Sequence, residues 1–275
     1  MIALSTGSLY TYGLDRVFEL AREVGFDGVE VLIDERWDTR QADYLGRLRD
    51  RHGIPIVSLH SPFSDHVDGW EGDEVSRIRR SVALAEALGA RTVVVHLPRR
   101  FSRLRLRLPG VRLSLTLGLS LGRERVYRRW LLEELAAYQA ETPVTIAVEN
   151  MPLKRLLFLR VNPYQLNEFE GLEAFPHLVF DTTHLGTRGF DIIEAYERLK
   201  ARIAHVHLSN YNGREHRLLD DGHLPLGQLL RRLRADGYRG IVTLEFSPRS
   251  LGGEDEGRVR ANLERSLVFC RQHFK

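Results

Sequence analysis

Six short apolar runs between residues 54 and 250 each end in a side chain that can bind a metal ion. Each run is almost continuously aliphatic and is bounded by turn residues, a pattern typical of buried strands in a parallel sheet. The terminal residues are His60, His96, Glu149, Asp181, His207 and Glu245. Burying a carboxylate or an imidazole without a partner is costly. We therefore expect all six side chains to face one common site and to share a cation there.

Segments with helical periodicity separate these runs, and eight strand–helix units can be counted. The first two strands are predicted at Ile2–Thr6 and Val29–Ile33. The predicted helices cover Leu14–Val24, Gln41–His52, Ser76–Leu88, Arg125–Ala140, Pro163–Ala174, Ile192–Lys200, Pro225–Ala235 and Glu256–Phe274. This order predicts an α/β fold, a single (β/α)8 TIM barrel over residues 1–275, whose active site lies at the C-terminal ends of the strands. A doubly wound sheet is the alternative, but no glycine-rich phosphate loop follows the first strand.

Segment 98–123 interrupts the repeat after the fourth strand. Leucine and arginine alternate before Pro109–Gly110, and apolar residues alternate with polar or small ones after it, which predicts a hairpin-like insertion. We expect this insertion over the C-terminal mouth of the barrel. Residues 99–129 contain ten arginines against the single acid Glu124, a charge of +9, which leaves −6 for the rest of a chain whose net charge is +3. The segment could be a solvated hairpin, a grip on a substrate phosphate, a nucleic-acid contact or a subunit interface in a homo-oligomer. A second basic and apolar loop follows the fifth strand over residues 153–160.

Composition excludes several other classes of protein. No uncharged apolar run reaches about 18 residues, so no membrane span is expected. The N-terminus, Met1–Thr6, lacks the layout of a signal peptide. The single cysteine, Cys270, excludes an internal disulfide and a thiolate metal site. A cytoplasmic protein is the resulting expectation.

Four short sequences resemble the xylose isomerase-like TIM-barrel superfamily, over residues 2 to about 270. They are Val148–Asn150, Phe180–His184, His205–Leu208 and Leu244–Phe246. The superfamily holds sugar and sugar-phosphate isomerases and epimerases together with the zinc apurinic endonucleases of the endonuclease IV family. Resemblance to the isomerase branch implies that one metal ion is bound by Glu149, Asp181, His207 and Glu245. It also implies that Glu149 and Glu245 move a proton between adjacent carbons through an enediolate.

The chemistry of this ligand set fits the implied reaction. Three carboxylates and one imidazole suit Mn²⁺, Zn²⁺, Co²⁺ or Mg²⁺. Such an ion polarises a carbonyl and its neighbouring hydroxyl, and general-base transfer of this type contributes about 10²–10⁴-fold. The predicted function is therefore a divalent-metal-dependent sugar or sugar-phosphate isomerase or epimerase. Arg214 is a candidate contact for a substrate phosphate.

The endonuclease branch gives the alternative function, a zinc-dependent apurinic endonuclease-like phosphodiesterase with more than one ion. That branch uses nine ligands, and the resemblance supplies the remaining five at His60, His96, His184, Asp221 and His223. Against a nucleic-acid partner, the second strand ends in acidic residues (Glu30, Asp34 and Glu35) where phosphate contacts would favour arginine or lysine. A barrel that binds a metal or a small molecule without turnover is the third interpretation.

The remaining histidines and Glu30 are predicted to have structural or surface roles. His205 is expected to face the helices, and Glu30 is expected to orient a neighbouring side chain. Four others are interpreted as surface residues: His52, His177, His216 and His273.

Overall fold

The computed structural model describes residues 1–62, 67–70, 72–100, 102–108, 111–117, 122–156 and 159–274. Its strands are β1 (Ile2–Ser5), β2 (Gly28–Leu32), β3 (Ile56–His60), β4 (Thr92–Val95), β5 (Ser102–Leu108), β6 (Val111–Leu117), β7 (Thr145–Glu149), β8 (Lys154–Leu156), β9 (Leu159–Val161), β10 (Leu178–Asp181), β11 (Ile203–Leu208) and β12 (Ile241–Leu244). Eight of them close a parallel barrel in the order β1-β2-β3-β4-β7-β10-β11-β12. The predicted (β/α)8 barrel is confirmed.

Helices cover the outside of the barrel. They are α1 (Leu14–Val24), α2 (Ala42–His52), α3 (Glu74–Leu88), α4 (Gly122–Glu133), α5 (Leu135–Ala140), α6 (Phe169–Leu172), α7 (Thr182–Arg188), α8 (Ile192–Leu199), α9 (Leu226–Ala235), α10 (Pro248–Leu251) and α11 (Glu256–Phe274). In α1, Val17, Leu20 and Ala21 recur at helical spacing and are fully buried. Gly25 ends this helix at φ 95°, a left-handed conformation that glycine adopts without strain. Hydrophobic periodicity thus fixes both the helix and the face that packs on the barrel.

Parallel pairing brings the carboxyl ends of the strands to one end of the barrel. Asp181 in β10 pairs with His207 in β11, and Leu208 pairs with Leu244 in β12. On the other side of the barrel, His60 at the end of β3 pairs with Val94 in β4. The strand-terminal residues therefore gather at the same rim, as the sequence predicted.

Two of the predicted helices are wrong in part, and the short helices α7 and α10 were missed. The helix predicted over Pro163–Ala174 is reduced to α6, because Asn167 bonds the main chain of Met151 instead. Its amide nitrogen donates to the Met151 carbonyl (2.8 Å), and its oxygen accepts from the Met151 N–H (2.9 Å). The helix predicted over Arg125–Ala140 is divided into α4 and α5. The short helix α7 directly after β10 was not predicted.

The segment after β4 contains the two alternating strands. β5 and β6 pair antiparallel, with Leu104 opposite Leu115. The turn predicted at Pro109–Gly110 lies outside the described residues, and so do the side chains of both strands. At the base of the segment, the N–H of Arg100 donates to the Pro163 carbonyl at 2.7 Å. The position of the hairpin over the mouth of the barrel stays a prediction.

No helix in the described part of the chain combines the length and the apolar character needed to cross a bilayer.

Candidate metal centre

Four strand ends bring Glu149, Asp181, His207 and Glu245 together. Glu149 and Asp181 are the last residues of β7 and β10, His207 lies in β11, and Glu245 follows β12 directly. One ligand atom from each lies within 4.8 Å of the others. Glu149, Asp181 and His207 are at most 1% exposed, whereas the side chain of Glu245 is 19% exposed. The residues that the resemblance assigns to one metal ion therefore form one cluster, of which Glu245 is the partly exposed member.

His207 is at the middle of this cluster. Its Nδ1 atom lies 3.0 Å from Oε1 of Glu149 and 3.1 Å from Oε2 of Glu245. Oδ2 of Asp181 is 3.8 Å away from the same nitrogen. Three carboxylates thus surround one imidazole in the barrel interior, where like charges repel strongly unless a cation compensates them.

Burial and charge change the acidity of each carboxylate in a different way. Burial opposes ionisation of Glu149, but hydrogen bonds from His207, His60 and His96 outweigh it and hold its pKa well below the usual range. Burial also opposes ionisation of Glu245, yet the charges of His207 and His216 lower its pKa to about 2. The pKa of Asp181 is raised well above its usual value, by burial and by the negative charges of Glu149 and Glu245. Asp181 is therefore the carboxylate that lacks compensating positive charge.

The surroundings of Asp181 fit a divalent cation. Its Oδ1 atom accepts a hydrogen bond from the N–H of His184 (2.7 Å) and so caps α7. Its Oδ2 atom is buried and accepts no hydrogen bond from the described residues. The nearest imidazole nitrogens are 3.6 Å (His184) and 3.8 Å (His207) away. Buried carboxylate oxygens of this kind are normally paired or bound to metal, and the donor set of three carboxylates and one imidazole suits Mn²⁺, Zn²⁺, Co²⁺ or Mg²⁺.

A second layer of buried side chains lies beneath the cluster. It shows that the prediction for His205 is wrong. Nε2 of His207 is 3.0 Å from Oε1 of Glu30, and Nε2 of His205 is 3.0 Å from Oε2 of the same carboxylate. Ser58 also donates to Oε2 of Glu30 at 2.7 Å. All four side chains are fully buried. The expectation that His205 faces the helices is wrong, because residues two apart in a strand point to the same side.

His60 and His96 lie on the other side of Glu149. Nε2 of His96 is 3.0 Å from Oε2 of Glu149, and Nε2 of His60 is 3.7 Å from it. These three residues form a second group able to hold a cation. Burial lowers the pKa of His96 and outweighs the opposing effect of Glu149, so this imidazole favours the neutral form that binds metals. The structure thus brings together both histidines that the sequence analysis named here.

A third group consists of His184 with two residues that sequence reasoning missed as site residues, Glu215 and His216. Nδ1 of His184 lies 2.9 Å from the Asn150 carbonyl, and its Nε2 lies 4.0 Å from Oε2 of Glu215. The His216 ring packs edge-on against His184, with centroids 5.6 Å apart, and its backbone has the left-handed φ of 57°. The interpretation of His216 as a surface residue is wrong, since it is half-buried at the rim. The residues lie in a loop, where no periodic pattern marks them.

Two of the proposed additional ligands are not brought into the cluster. Asp221 forms an ion pair with Arg217 and accepts a hydrogen bond from Asn212 at 2.8 Å. His223 is exposed, and its ring packs edge-on against Tyr211, with centroids 5.7 Å apart. The nine-ligand set is therefore not assembled, because Arg217 competes locally for Asp221.

Arg214, the candidate phosphate contact, is exposed. It lines a cavity of about 430 Å³ together with Arg155, Arg160 and Glu215. This places it beside the third group and outside the barrel interior.

Comparison with known proteins identifies the family. Residues 18–270 match the family model described as the xylose isomerase-like TIM barrel. The chain belongs to this family, as the resemblance in its strand-end motifs indicated.

Individual relatives are more distant. An uncharacterized protein of Mycobacterium tuberculosis is 28% identical over 297 residues, covering 99% of this chain and 97% of that protein. The crystal structure of the 3-keto-D-glucoside 4-epimerase YcjR of E. coli has a TM-score of 0.68 at 19% identity and covers 98% of both chains. An AP endonuclease of family 2 from Brucella melitensis has a TM-score of 0.64 at 21% identity, covering 90% of this chain and 93% of that one. At these identities the structural likenesses establish the fold alone.

Proposed function

We propose that this protein is a divalent-metal-dependent isomerase or epimerase that acts on sugars or sugar phosphates. The observation that carries the proposal is the cluster of Glu149, Asp181, His207 and Glu245, with a buried Asp181 oxygen that accepts no hydrogen bond within the described part of the chain. The similarity in fold to an enzyme that epimerises a keto-sugar derivative supports it.

The metal ion would be held by Glu149, Asp181, His207 and Glu245. When bound, such an ion polarises a substrate carbonyl and the hydroxyl on the neighbouring carbon, which makes the intervening C–H more acidic. Nδ1 of His207 lies 3.0 Å from Oε1 of Glu149 and 3.1 Å from Oε2 of Glu245, so these ligand atoms are close enough together to share one ion. A substrate entering from the mouth meets Glu245 first, since it is the partly exposed member of the cluster.

The two glutamates are in the ionised form that a general base requires. The pKa of Glu149 is well below the usual range and that of Glu245 is about 2, so both are ionised at neutral pH and can accept a proton. One carboxylate removes a proton from the carbon next to the carbonyl, which leaves an enediolate, and a proton is returned to the neighbouring carbon or to the opposite face. The reaction needs no external oxidant or reductant. Burial of Glu149 excludes bulk water from its side of the site.

The decisive experiment is hydrogen exchange in D₂O. Protein loaded with Mn²⁺ or Co²⁺ is incubated with a panel of three- to six-carbon ketoses and their phosphates, and NMR follows deuterium at the carbon next to the carbonyl. We expect exchange with at least one substrate. The exchange should be lost in Glu149→Gln and Glu245→Gln. It should be fully retained in the matched control Glu264→Gln, because Glu264 is an exposed residue of α11. Absence of exchange with the whole panel would refute the proposed reaction.

The second candidate function is a zinc-dependent phosphodiesterase of the apurinic endonuclease type. It is favoured by the two additional groups, His60–His96–Glu149 and His184–Glu215–His216, which could hold further ions around the first. The similarity in fold to an AP endonuclease supports it as well. Three tightly bound zinc ions per chain, with nicking of abasic duplex DNA, would establish this function in place of the isomerase.

A further inference from the structure

The third group, His184, Glu215 and His216, lies beside the candidate metal centre and shares no residue with it. One ligand atom from each of the three lies within 4.8 Å of the others. His184 belongs to α7, and the other two residues lie in the loop after β11. Two imidazoles and one carboxylate are the donor set of one class of catalytic zinc site, in which the fourth position stays open.

His184 is oriented as a metal-binding histidine requires. Its Nδ1 atom lies 2.9 Å from the carbonyl oxygen of Asn150. Because a carbonyl oxygen only accepts, Nδ1 carries the hydrogen of the neutral ring and Nε2 keeps its lone pair. Nε2 lies 4.0 Å from Oε2 of Glu215. Metal-binding histidines usually donate their other ring N–H to such an acceptor, which fixes the tautomer and the ring orientation.

His216 is held at the rim by its backbone. Its N–H donates to Oγ1 of Thr183 at 3.2 Å, and its carbonyl accepts from the N–H of Ser247 (2.9 Å) and from Oγ of Ser250 (3.0 Å). The ring packs edge-on against His184, with centroids 5.6 Å apart. Its Nδ1 atom is buried and has no hydrogen-bond partner within the described part of the chain. Because a buried polar atom without a partner is costly, a cation that accepts a lone pair from this ring would stabilise the arrangement.

Lys154 compensates the charge of Glu215 in the metal-free protein. Its Nζ atom lies 3.3 Å from both carboxylate oxygens of Glu215, and its side chain is 44% exposed. A divalent ion bound by the same carboxylate carries the larger charge and repels the ammonium group. Lysine has a flexible stem and a strongly hydrated head, so the ammonium group can move into water. Lys154 and a metal ion therefore compete for Glu215.

We propose that His184, Glu215 and His216 bind a Zn²⁺ ion that displaces Lys154 from Glu215. Zn²⁺ suits this set because it takes imidazole and carboxylate ligands in four-coordinate sites. Glu215 also lines the cavity of about 430 Å³, so the open position of the ion can bind an oxygen atom of a ligand there. The inference does not rest on the proposed isomerase, since the site holds its ion whatever reaction the neighbouring centre catalyses.

Anomalous diffraction at the zinc absorption edge locates the ion. In crystals of the wild-type protein grown with Zn²⁺, we expect a peak about 2.0–2.2 Å from Nε2 of His184, a carboxylate oxygen of Glu215 and a ring nitrogen of His216. The absence of a peak at this place would overturn the proposal. A peak bonded to His184 together with Asp221 or His223, in place of the two proposed partners, would overturn it as well.

Calorimetric titration with Zn²⁺ tests the same ligands in solution. His216→Gln should weaken the binding of one Zn²⁺ per chain at least about 100-fold, because a direct ligand contributes more than an outer-shell partner. His177→Gln is the matched control, since His177 is also half-buried but precedes β10 at the opposite end of the barrel. Melting temperatures show whether both variants are folded. Unchanged zinc stoichiometry and affinity in folded His216→Gln protein would contradict the proposal.

Lys154→Gln tests the competition, and a purely structural role of the group predicts no gain from it. Removing the ammonium group should tighten the binding of this Zn²⁺ about two- to fivefold, the scale of a partly exposed ion pair. Lys200→Gln is the control, because Lys200 is similarly exposed (41%) and ion-paired but precedes β11. Weaker or unchanged zinc binding in Lys154→Gln would overturn the proposal, which requires this competition. If zinc binds as proposed while no sugar exchanges its proton in D₂O, the zinc site stands and the isomerase proposal fails.

Discussion

The barrel interior and the cavity lined by Arg155, Arg160 and Arg214 show two different ways of placing charge. In the interior, Glu149, Asp181 and His207 are at most 1% exposed and contact one another through atoms that strands hold in place. In the cavity, Arg155, Arg160 and Arg214 are all exposed and lie on short strands and a loop. The interior groups are strongly coupled and poorly screened, whereas the cavity groups are screened by water and salt.

This difference separates chemistry from substrate choice. A proton transfer needs reacting groups fixed within a fraction of an ångström, and strand ends in a barrel provide that precision. Recognition of a substrate phosphate, the role predicted for Arg214, needs charge and reach, which a long arginine side chain on a loop provides. Changes in the interior should therefore alter the reaction itself, and replacement of Arg214 should alter only the affinity for phosphorylated substrates.

The largest expected effect is on the reaction rate. Glu149→Gln or Glu245→Gln should lower the rate of proton exchange about 10²–10⁴-fold, because each removes a group that accepts or returns the proton. Arg214→Gln should raise KM for the phosphorylated substrate and leave kcat nearly unchanged. Steady-state kinetics of the three variants measures both parameters. An Arg214→Gln enzyme that loses kcat as strongly as the glutamate variants would contradict the separation.

The layer beneath the centre should affect metal affinity. Glu30 lies 3.0 Å from Nε2 of His207, so Glu30→Gln should weaken the orientation of that imidazole and its basicity as a ligand. The dissociation constant for Mn²⁺ or Co²⁺ should rise about 10–100-fold, the usual effect of removing a carboxylate behind a metal-binding histidine. Titration by calorimetry measures it, and the melting temperature of the variant shows whether it is folded. A folded variant with unchanged affinity would exclude this role for Glu30.

The salt dependence of KM should distinguish the barrel interior from the cavity, with a smaller effect. Raising the ionic strength shortens the range of exposed charges, so KM for a phosphorylated substrate should rise severalfold between low and high sodium chloride. KM for the matching unphosphorylated sugar should change little. Parallel rises for both substrates would show that the exposed arginines are not the source of the effect.

The smallest effect concerns stability without metal. The pKa of Asp181 is raised in the folded protein by burial and by Glu149 and Glu245, so its ionisation at neutral pH opposes folding. Asp181→Asn keeps the oxygen that caps α7 and removes the charge, and it should raise the melting temperature of chelator-treated protein at pH 7. The gain should shrink as the pH falls through the raised pKa and should vanish below the ordinary carboxyl value of 3.8. A lower melting temperature of the variant at pH 7 would contradict this reasoning.

The sequence predicted the barrel and the convergence of its strand ends because both depend on simple periodicity, whereas the family resemblance selected the four residues of the central cluster. Apolar runs identify the strands, and parallel strands bring their last residues, such as Glu149 and Asp181, to one rim. The alternation of side chains along a strand also places His205 on the same side as His207, two residues later, and therefore inside the barrel.

The remaining errors depend on contacts that no local pattern reveals. Glu215 and His216 reach the rim through a loop whose path is set by bonds to other elements. The N–H of His216, for example, donates to Oγ1 of Thr183 in α7 at 3.2 Å. Asp221 looks like a ligand in sequence but pairs with Arg217, four residues earlier. Asn167 replaces the first turns of a predicted helix with bonds to the main chain of Met151. For His216 and Asn167 a partner distant in the sequence decides between local alternatives, whereas the partner of Asp221 is only four residues away.

Anomalous diffraction from crystals grown with Mn²⁺ tests the central claim most directly. We predict one strong peak within bonding distance of carboxylate oxygens of Glu149, Asp181 and Glu245 and of Nδ1 of His207. The account would be contradicted if the four side chains were gathered as described but no peak lay between them. It would also be contradicted if manganese were bound only elsewhere on the chain.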